Sequence, residues 1–451
     1  MTTTTAPVRC RTVQRKHQPS LGELVFMPTF ILLVAIHCIE NTSLNYYPPA
    51  WMPVMYLYRN LLYGILLVKI VFLSTYRDKE IWAVLAILAG AAVCYLCTKD
   101  LQMIEWVTIA IAAKNVPKQR LLYAFLLTKA AAIALTLLLY EVGVLPTLYY
   151  FNSDNSVYNT MGFCHRNVLG ANMAVLCLGW FYLRFRNITI LDVLFWLVIS
   201  AVTYFLAISR TSLIIMVLIV VVMYAFRKLD RLITATPQLR WIFPGIFVAM
   251  FLVCFLCACF YQKYDPMWSV LDDIFTKRIS FANQVMEDHG LSLFGQDLPF
   301  VTTMAAQISN TKSLILDNAY MRAMLYFGII PGLTFMGLYA LTIFRSCEKK
   351  RTALVAALLV MAVFGLSESY MLDVFYNFPL LLGLTGLFRR PAPEEAQRPV
   401  PYVLRSCWDW SRAQLKDLRK PEREPKQKQP VSEKLRAFWK WLCDLFDKLC
   451  S

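Results

Sequence analysis

Apolar residues fall along this chain in long blocks, separated by short clusters of charged or polar residues. A helix needs about 20 mostly apolar residues to cross the hydrocarbon core of a bilayer. Blocks near that length lie at 22–40, 56–75, 80–97, 100–114, 120–140, 167–183, 188–207, 211–226, 241–260, 320–343, 352–368 and 374–388. The pattern predicts an all-α, polytopic membrane helix bundle of about 12 transmembrane helices. The blocks at 100–114 and 374–388 are the shortest. Two longer polar stretches interrupt the blocks, at 141–166 and at 261–319, the second a large loop between spans 9 and 10. The chain then divides into an N-terminal segment 1–21, a membrane domain 22–390, and a tail 391–451.

Composition narrows the class. Hydrophobic residues make up 58% and charged ones 16%, against about 25% charged in a soluble globular protein. The net charge of +16 would point to nucleic acid in a soluble chain. Here the basic residues abut the predicted spans, with no nucleic-acid-binding module, and their distribution carries topology instead. One set of alternate loops holds seventeen basic residues, including Arg77, Lys114, Arg184, Arg227, Arg345 and Arg389, against seven in the other set. The bias places both termini in the cytoplasm and the segments 141–166 and 261–319 on the extracytoplasmic side. The polar, basic start (Arg9, Arg11, Arg15, Lys16) reads as an uncleaved N-terminus. In the basic, Pro-rich tail, Leu435, Phe438, Trp439, Leu442, Leu445, Phe446 and Leu449 recur at helical spacing opposite Lys434, Arg436 and Lys440. That suits an amphipathic helix on an anionic membrane surface or against a partner helix. Cys94-x-x-Cys97 and Cys254-x-x-Cys257 lack the further ligands a zinc site needs. No metal and no cofactor is expected, Asp272-Asp273 being the nearest thing to a metal-binding pair.

Ionisable residues at a membrane edge are costly and so mark function. His165 and Arg166, Arg210, Arg278, Asp317, Arg322 and Glu368 all fall on the predicted extracytoplasmic side. Arginine forks bind phosphate oxygens in pairs and keep their charge at low dielectric, so the cluster suits a phosphorylated lipid whose head group protrudes there. Each residue also has a structural reading. Arg210 can snorkel to the interface, Arg278 can pair with Asp272 or Asp273, Glu368 can neutralise an arginine, and His165 can cap the helix that follows it.

Gly162-Phe163-Cys164-His165-Arg166-Asn167-Val168-Leu169-Gly170 resembles the GF-x-H-P-N-x-x-G segment of the bacterial O-antigen polymerase and O-antigen ligase superfamily. Ser209-Arg210-Thr211-Ser212 resembles the family's S-R-[TS] step. Arg278-Ile279-Ser280 with Leu293-Phe294-Gly295 resembles its loop segment R-x-x-x…L-F-G. Asp317-Asn318-Ala319-Tyr320 with Gly328-Ile329-Ile330 resembles D-N-x-Y…Y-G-I-I, and Ser367-Glu368 with Asn377-Phe378 resembles E…N-x-F. The resemblance covers residues 160–385. Arg166 stands where the family usually has Pro. Asp317 stands where the ligase branch has His, which favours the polymerase branch.

The resemblance implies an inverting glycosyltransferase in the bacterial cytoplasmic membrane, with its active site at the extracytoplasmic face. Such an enzyme polymerises undecaprenyl-diphosphate-linked oligosaccharide repeat units into a capsular, exopolysaccharide or O-antigen-type chain. It would work among membrane lipid, beside the flippase and chain-length regulator of the same pathway. Negative charge develops on the departing diphosphate, which fixed guanidinium groups stabilise; Arg210, Arg278 and Arg322 are the expected diphosphate-binding residues. A carboxylate can take the proton of the attacking hydroxyl. Asp317 is the first candidate for that base, Glu368 the second, and His165 could orient the acceptor or share the proton. Asn167, Ser209, Asn318, Tyr320 and Asn377 are carried over as substrate-binding residues, and the Tyr/Asn-rich loop 141–160 offers rings and amides suited to sugars. Two alternatives stay open: a ligase passing finished glycan to a cell-surface acceptor, and a transporter or flippase of lipid-linked glycan. The second wants charged sites at the bilayer midplane and an internal repeat. Only Lys69 and Lys129 lie deep in blocks here, and no repeat is seen.

Overall fold

Backbone amides in hydrocarbon must find their partners within the protein, and the apolar blocks all become helices. The computed structural model describes residues 20–151, 157–301, 314–386 and 399–401. The predicted tail helix and Arg389, like the segment 1–19, lie outside the described residues. In chain order the helices are α1 (Leu21–Glu40), α2 (Met52–Val68), α3 (Asp78–Thr98), α4 (Gln102–Ala112), α5 (Lys118–Glu141), α6 (Arg166–Leu183), α7 (Ile190–Ala207) and α8 (Arg210–Lys228). There follow α9 (Asp230–Ala235), α10 (Leu239–Phe260), α11 (Pro266–Ile274), α12 (Arg278–His289), α13 (Ala319–Leu325), α14 (Ile329–Glu348), α15 (Thr352–Ser367) and α16 (Phe378–Leu384).

Among the described residues eight helices are long and apolar enough to cross a membrane: α1, α2 with the π-turn that extends it to Leu73, α3, α5, α7, α8, α10 and α14. The chain is therefore a helical, membrane-embedded protein, with fewer full-length spans than the twelve blocks predict. The reasons are local. α4 has 11 residues, α15 has 16 and α16 has 7. α6 carries Arg166, Asn167 and Asn172 within its 18 residues. The block 320–343 is cut in two at Gly328, whose φ of +91° ends the helical path.

α15 is apolar on every side, and nearly all of it from Thr352 to Gly365 is buried. A helix of that kind belongs at the centre of a bundle, and α15 packs against α6, α8, α10, α14 and α16. α10 is the opposite case. It fully buries only Phe247 and Ala258, rests Phe243, Met250 and Phe251 against the core and exposes Trp241, Ile242, Leu252, Val253, Leu256 and Phe260, as a lipid-facing helix does.

Two glycines set close approaches. A Cβ on Gly170 of α6 would strike Ser212 of α8, so these helices touch nearly backbone to backbone. Gly328 lies against the backbone of residues 293–295, with Ile329 N bonded to Ser292 O (2.9 Å), Ile330 N to Leu293 O (3.0 Å) and Gln296 N to Tyr326 O (3.0 Å).

The segment 141–166 carries a short hairpin, β1 (Tyr149–Phe151) with β2 (Val157–Asn159), and an isolated bridge from Thr42 to Phe163 ties it to the end of α1. In 261–319 the described residues form α11 and α12, and α12 lies on α10 and α13. One end of the bundle thus collects the end of α1, the starts of α6, α12 and α13, and the end of α15. The other end collects the start of α5 and the end of α16, joined by Lys118 Nζ donating to Leu382 O (2.5 Å).

Candidate functional site

The site starts with a strained turn. Thr276 and Lys277, between α11 and α12, both sit in the left-handed region, with φ of 53° and 63°. A β-branched residue there is an outlier that surrounding structure has to hold. The buried Asp272 does this. Its Oδ1 accepts from Ile279 N (3.1 Å) and Ser280 N (3.0 Å), capping the first turn of α12. Lys277 takes the neighbouring acid, with Nζ 2.6 Å from Asp273 Oδ1. Arg278 therefore does not pair with Asp272 or Asp273, and the turn aims it back into the bundle.

There its Nε donates to Ser367 O (2.5 Å), and one terminal nitrogen donates to the Thr276 hydroxyl. The other terminal nitrogen donates to Glu368 Oε1 (3.2 Å) and lies 4.0 Å from Asp317 Oδ2. Glu368 is the residue at which α15 ends and the chain becomes extended. Its Oε1 also accepts from Asn167 Nδ2 (3.0 Å), on the first turn of α6. Three segments far apart in sequence meet at this one guanidinium, and a fourth joins them through Glu368.

The two carboxyls differ in access: the Asp317 side chain is 45% exposed and that of Glu368 is 9%. Burial raises both above the usual carboxylate range. At Glu368 the charge of Asp317 adds to the rise and Arg278 opposes it; at Asp317, Arg278 and then Arg322 oppose it. Two acids beside one arginine in this setting favour retention of a proton near neutrality.

The other predicted residues divide. His165 is the N-cap of α6, with Nδ1 accepting from Asn167 N (3.1 Å). Burial, with Arg166 beside it, pushes its pKa down to about 4, so it is neutral at physiological pH. Asn318 caps α13 through Met321 N (3.0 Å) and donates to Leu366 O (2.9 Å), directly beside the acid pair. Arg322 lies against Asp100 (3.8 Å) with its guanidinium beside the paired Phe300 and Tyr326 rings. Arg210 is exposed at the start of α8 and joins no ion pair among the described residues. Ser209 is the buried cap of α8. Tyr320 is buried and donates to Ala362 O (2.8 Å), and Asn377 is buried as the cap of α16. These last three serve the bundle's interior, not the Arg278 cluster.

Sequence reasoning passed over a second group at the same end. His37 Nε2 lies 3.4 Å from Asp373 Oδ2, and its ring stacks on Phe375 at 4.4 Å. Burial pushes the Asp373 carboxyl up to about 7. Arg59 meets Glu40 at 2.7 Å, and the fully buried Lys129 reaches Asn172 Oδ1 (2.5 Å) and covers the Tyr376 ring. The polar break between Ser367 and Asn377 was the available signal for Asp373. His37, inside an apolar block, gave none.

Beside the Arg278 cluster runs a groove of about 330 Å³, lined by Ile246, Met250, Val253 and Cys257 of α10 together with Ile279 and Leu366. Arg278 and Asn318 supply its polar lining. The arrangement can hold an amphipath, with its anionic head at the guanidinium and its apolar body along α10. Among the described residues no three or more His, Cys, Asp or Glu side chains converge as a metal site. Comparison with protein-family models, with curated proteins and with solved structures returns no match.

Proposed function

We propose that this chain is an inverting glycosyltransferase that polymerises undecaprenyl-diphosphate-linked repeat units at the extracytoplasmic face of the bacterial cytoplasmic membrane. The observation that carries the reading is Arg278: a fixed guanidinium beside two carboxyls of raised pKa, at the polar end of an apolar groove. The groove suits a polyprenyl chain and the guanidinium its diphosphate. The acceptor hydroxyl attacks the anomeric carbon, the bond from that carbon to the diphosphate oxygen breaks, and undecaprenyl diphosphate leaves. Asp317, the accessible acid, takes the hydroxyl proton. Glu368 holds Arg278 in place, and Arg278, with Arg322 at longer range, stabilises the charge on the leaving group. Attack opposite the diphosphate inverts the anomeric centre.

Loss of the protein tests this reading in cells. A polymerase leaves single repeat units on their lipid carrier and no long polymer. Finished polymer retained on its carrier would mark a ligase, and unchanged surface glycan would refute both.

A further inference from the structure

At the far end of α15 from Glu368, about 24 Å away for a helix of that length, the turn from α14 into α15 opens on a second recess. It has a volume of about 150 Å³ and is bordered by Thr234, Thr236, Arg240, Glu348, Lys350 and Thr352. Pockets that enclose whole small molecules run to roughly 300–1,000 Å³, so this one suits a chemical group. α15 begins there without a side-chain cap. The N–H groups of Thr352 and Ala353 find no backbone acceptor among the described residues. Thr352 is 4% exposed, and its Oγ1 has no hydrogen-bond partner among the described residues. A buried hydroxyl and two uncapped amides at the positive end of a helix form a donor set for an anion. Arg240 and Lys350 stand exposed at the rim. The one carboxylate in the lining, Glu348, leans toward Arg345, 4.0 Å away.

We infer that this recess binds a phosphate group, either the head group of an anionic phospholipid or a soluble phosphate. Thr352 Oγ1 and the Thr352 and Ala353 amides donate to its oxygens, and Arg240 and Lys350 balance its charge. The inference stands apart from the transferase reading, since it uses neither Arg278 nor the acids. It is tested on the full chain in neutral detergent, by following thermal unfolding against inorganic phosphate with sodium chloride at matched ionic strength as the control. Phosphate should raise the unfolding midpoint where chloride does not. Thr352→Val should weaken the apparent affinity on the order of ten-fold, the scale of one charge-assisted hydrogen bond. Arg240→Gln with Lys350→Gln should weaken it at least as much. Because those two side chains are exposed, the double variant remains informative even where Thr352→Val fails to fold. Nanodiscs then separate the sources. If phosphatidylglycerol in a phosphatidylcholine disc abolishes the phosphate response of the wild type, a lipid head group is the occupant. If the response persists there, the ligand is soluble. No phosphate response, or one equal in wild type and the double variant, overturns the inference.

Discussion

Arg278, Asp317 and Glu368 act as one electrostatic unit, because each carboxyl is raised by burial and held down by the same guanidinium. Their roles separate by access. Asp317→Asn should lower glycan transfer by about 10²–10⁴-fold, the usual contribution of a general base, while leaving donor binding intact. Near-wild-type turnover in that variant would move the base to Glu368. Glu368 also makes a stability prediction. Its carboxyl is raised from 4.5 to about 8 in the folded chain, so the fold holds that proton more tightly than the unfolded chain does. The stabilisation is fully present below about pH 4.5 and is lost as pH rises through about 8. The thermal unfolding midpoint in detergent should therefore fall between about pH 5 and about pH 9, and Glu368→Gln should flatten part of that slope. Asp373, pushed up to about 7, supplies a remainder of the same sign. A slope identical in wild type and Glu368→Gln would show that Glu368 does not hold the proton.

At the scale of elements, the sequence motifs turn out to be joints. Leu293-Phe294-Gly295 and Gly328-Ile329-Ile330, read as separate signatures, are two sides of one backbone contact. Gly170, the last residue of the first motif, is where α6 and α8 touch. Gly170→Val should destabilise the chain by about 1–3 kcal/mol through overpacking, and Ser212→Gly should recover part of that loss in a thermal-melt comparison. No recovery would place the cost elsewhere. The same distinction explains where the sequence reading of the site stopped. Spacing gives a residue's depth along a helix but not the direction it faces once neighbours pack. Arg278, Asp317 and Glu368 were legible because each lies at a helix end, where direction follows from the turn. Arg210 shares their depth yet stands exposed and outside the cluster. Tyr320 and Asn377 belong to matched motifs and serve as a core hydrogen bond and a helix cap, roles that a motif cannot tell from substrate contact.

For the whole molecule, block length predicted an all-helical membrane domain, and eight of the described helices are long and apolar enough to cross a membrane; hydropathy does not see a break such as Gly328 or a helix buried within the bundle such as α15. The alternation of basic loops implies that the Arg278 end faces outward and the Lys350 end faces the cytoplasm. In a background with the native cysteines replaced by Ser, a membrane-impermeant thiol reagent applied to intact cells should label Lys277→Cys and leave Lys350→Cys unlabelled, and the reverse would invert the topology. The central claim, that Arg278 grips a polyprenyl diphosphate, is tested most directly by equilibrium binding of undecaprenyl diphosphate to the purified full chain. Arg278→Gln and Arg278→Lys should each bind on the order of ten-fold more weakly or worse, because an ammonium cannot reproduce the guanidinium fork, while the outlying Arg210→Gln should bind like the wild type. Equal affinity in all four proteins would contradict the account.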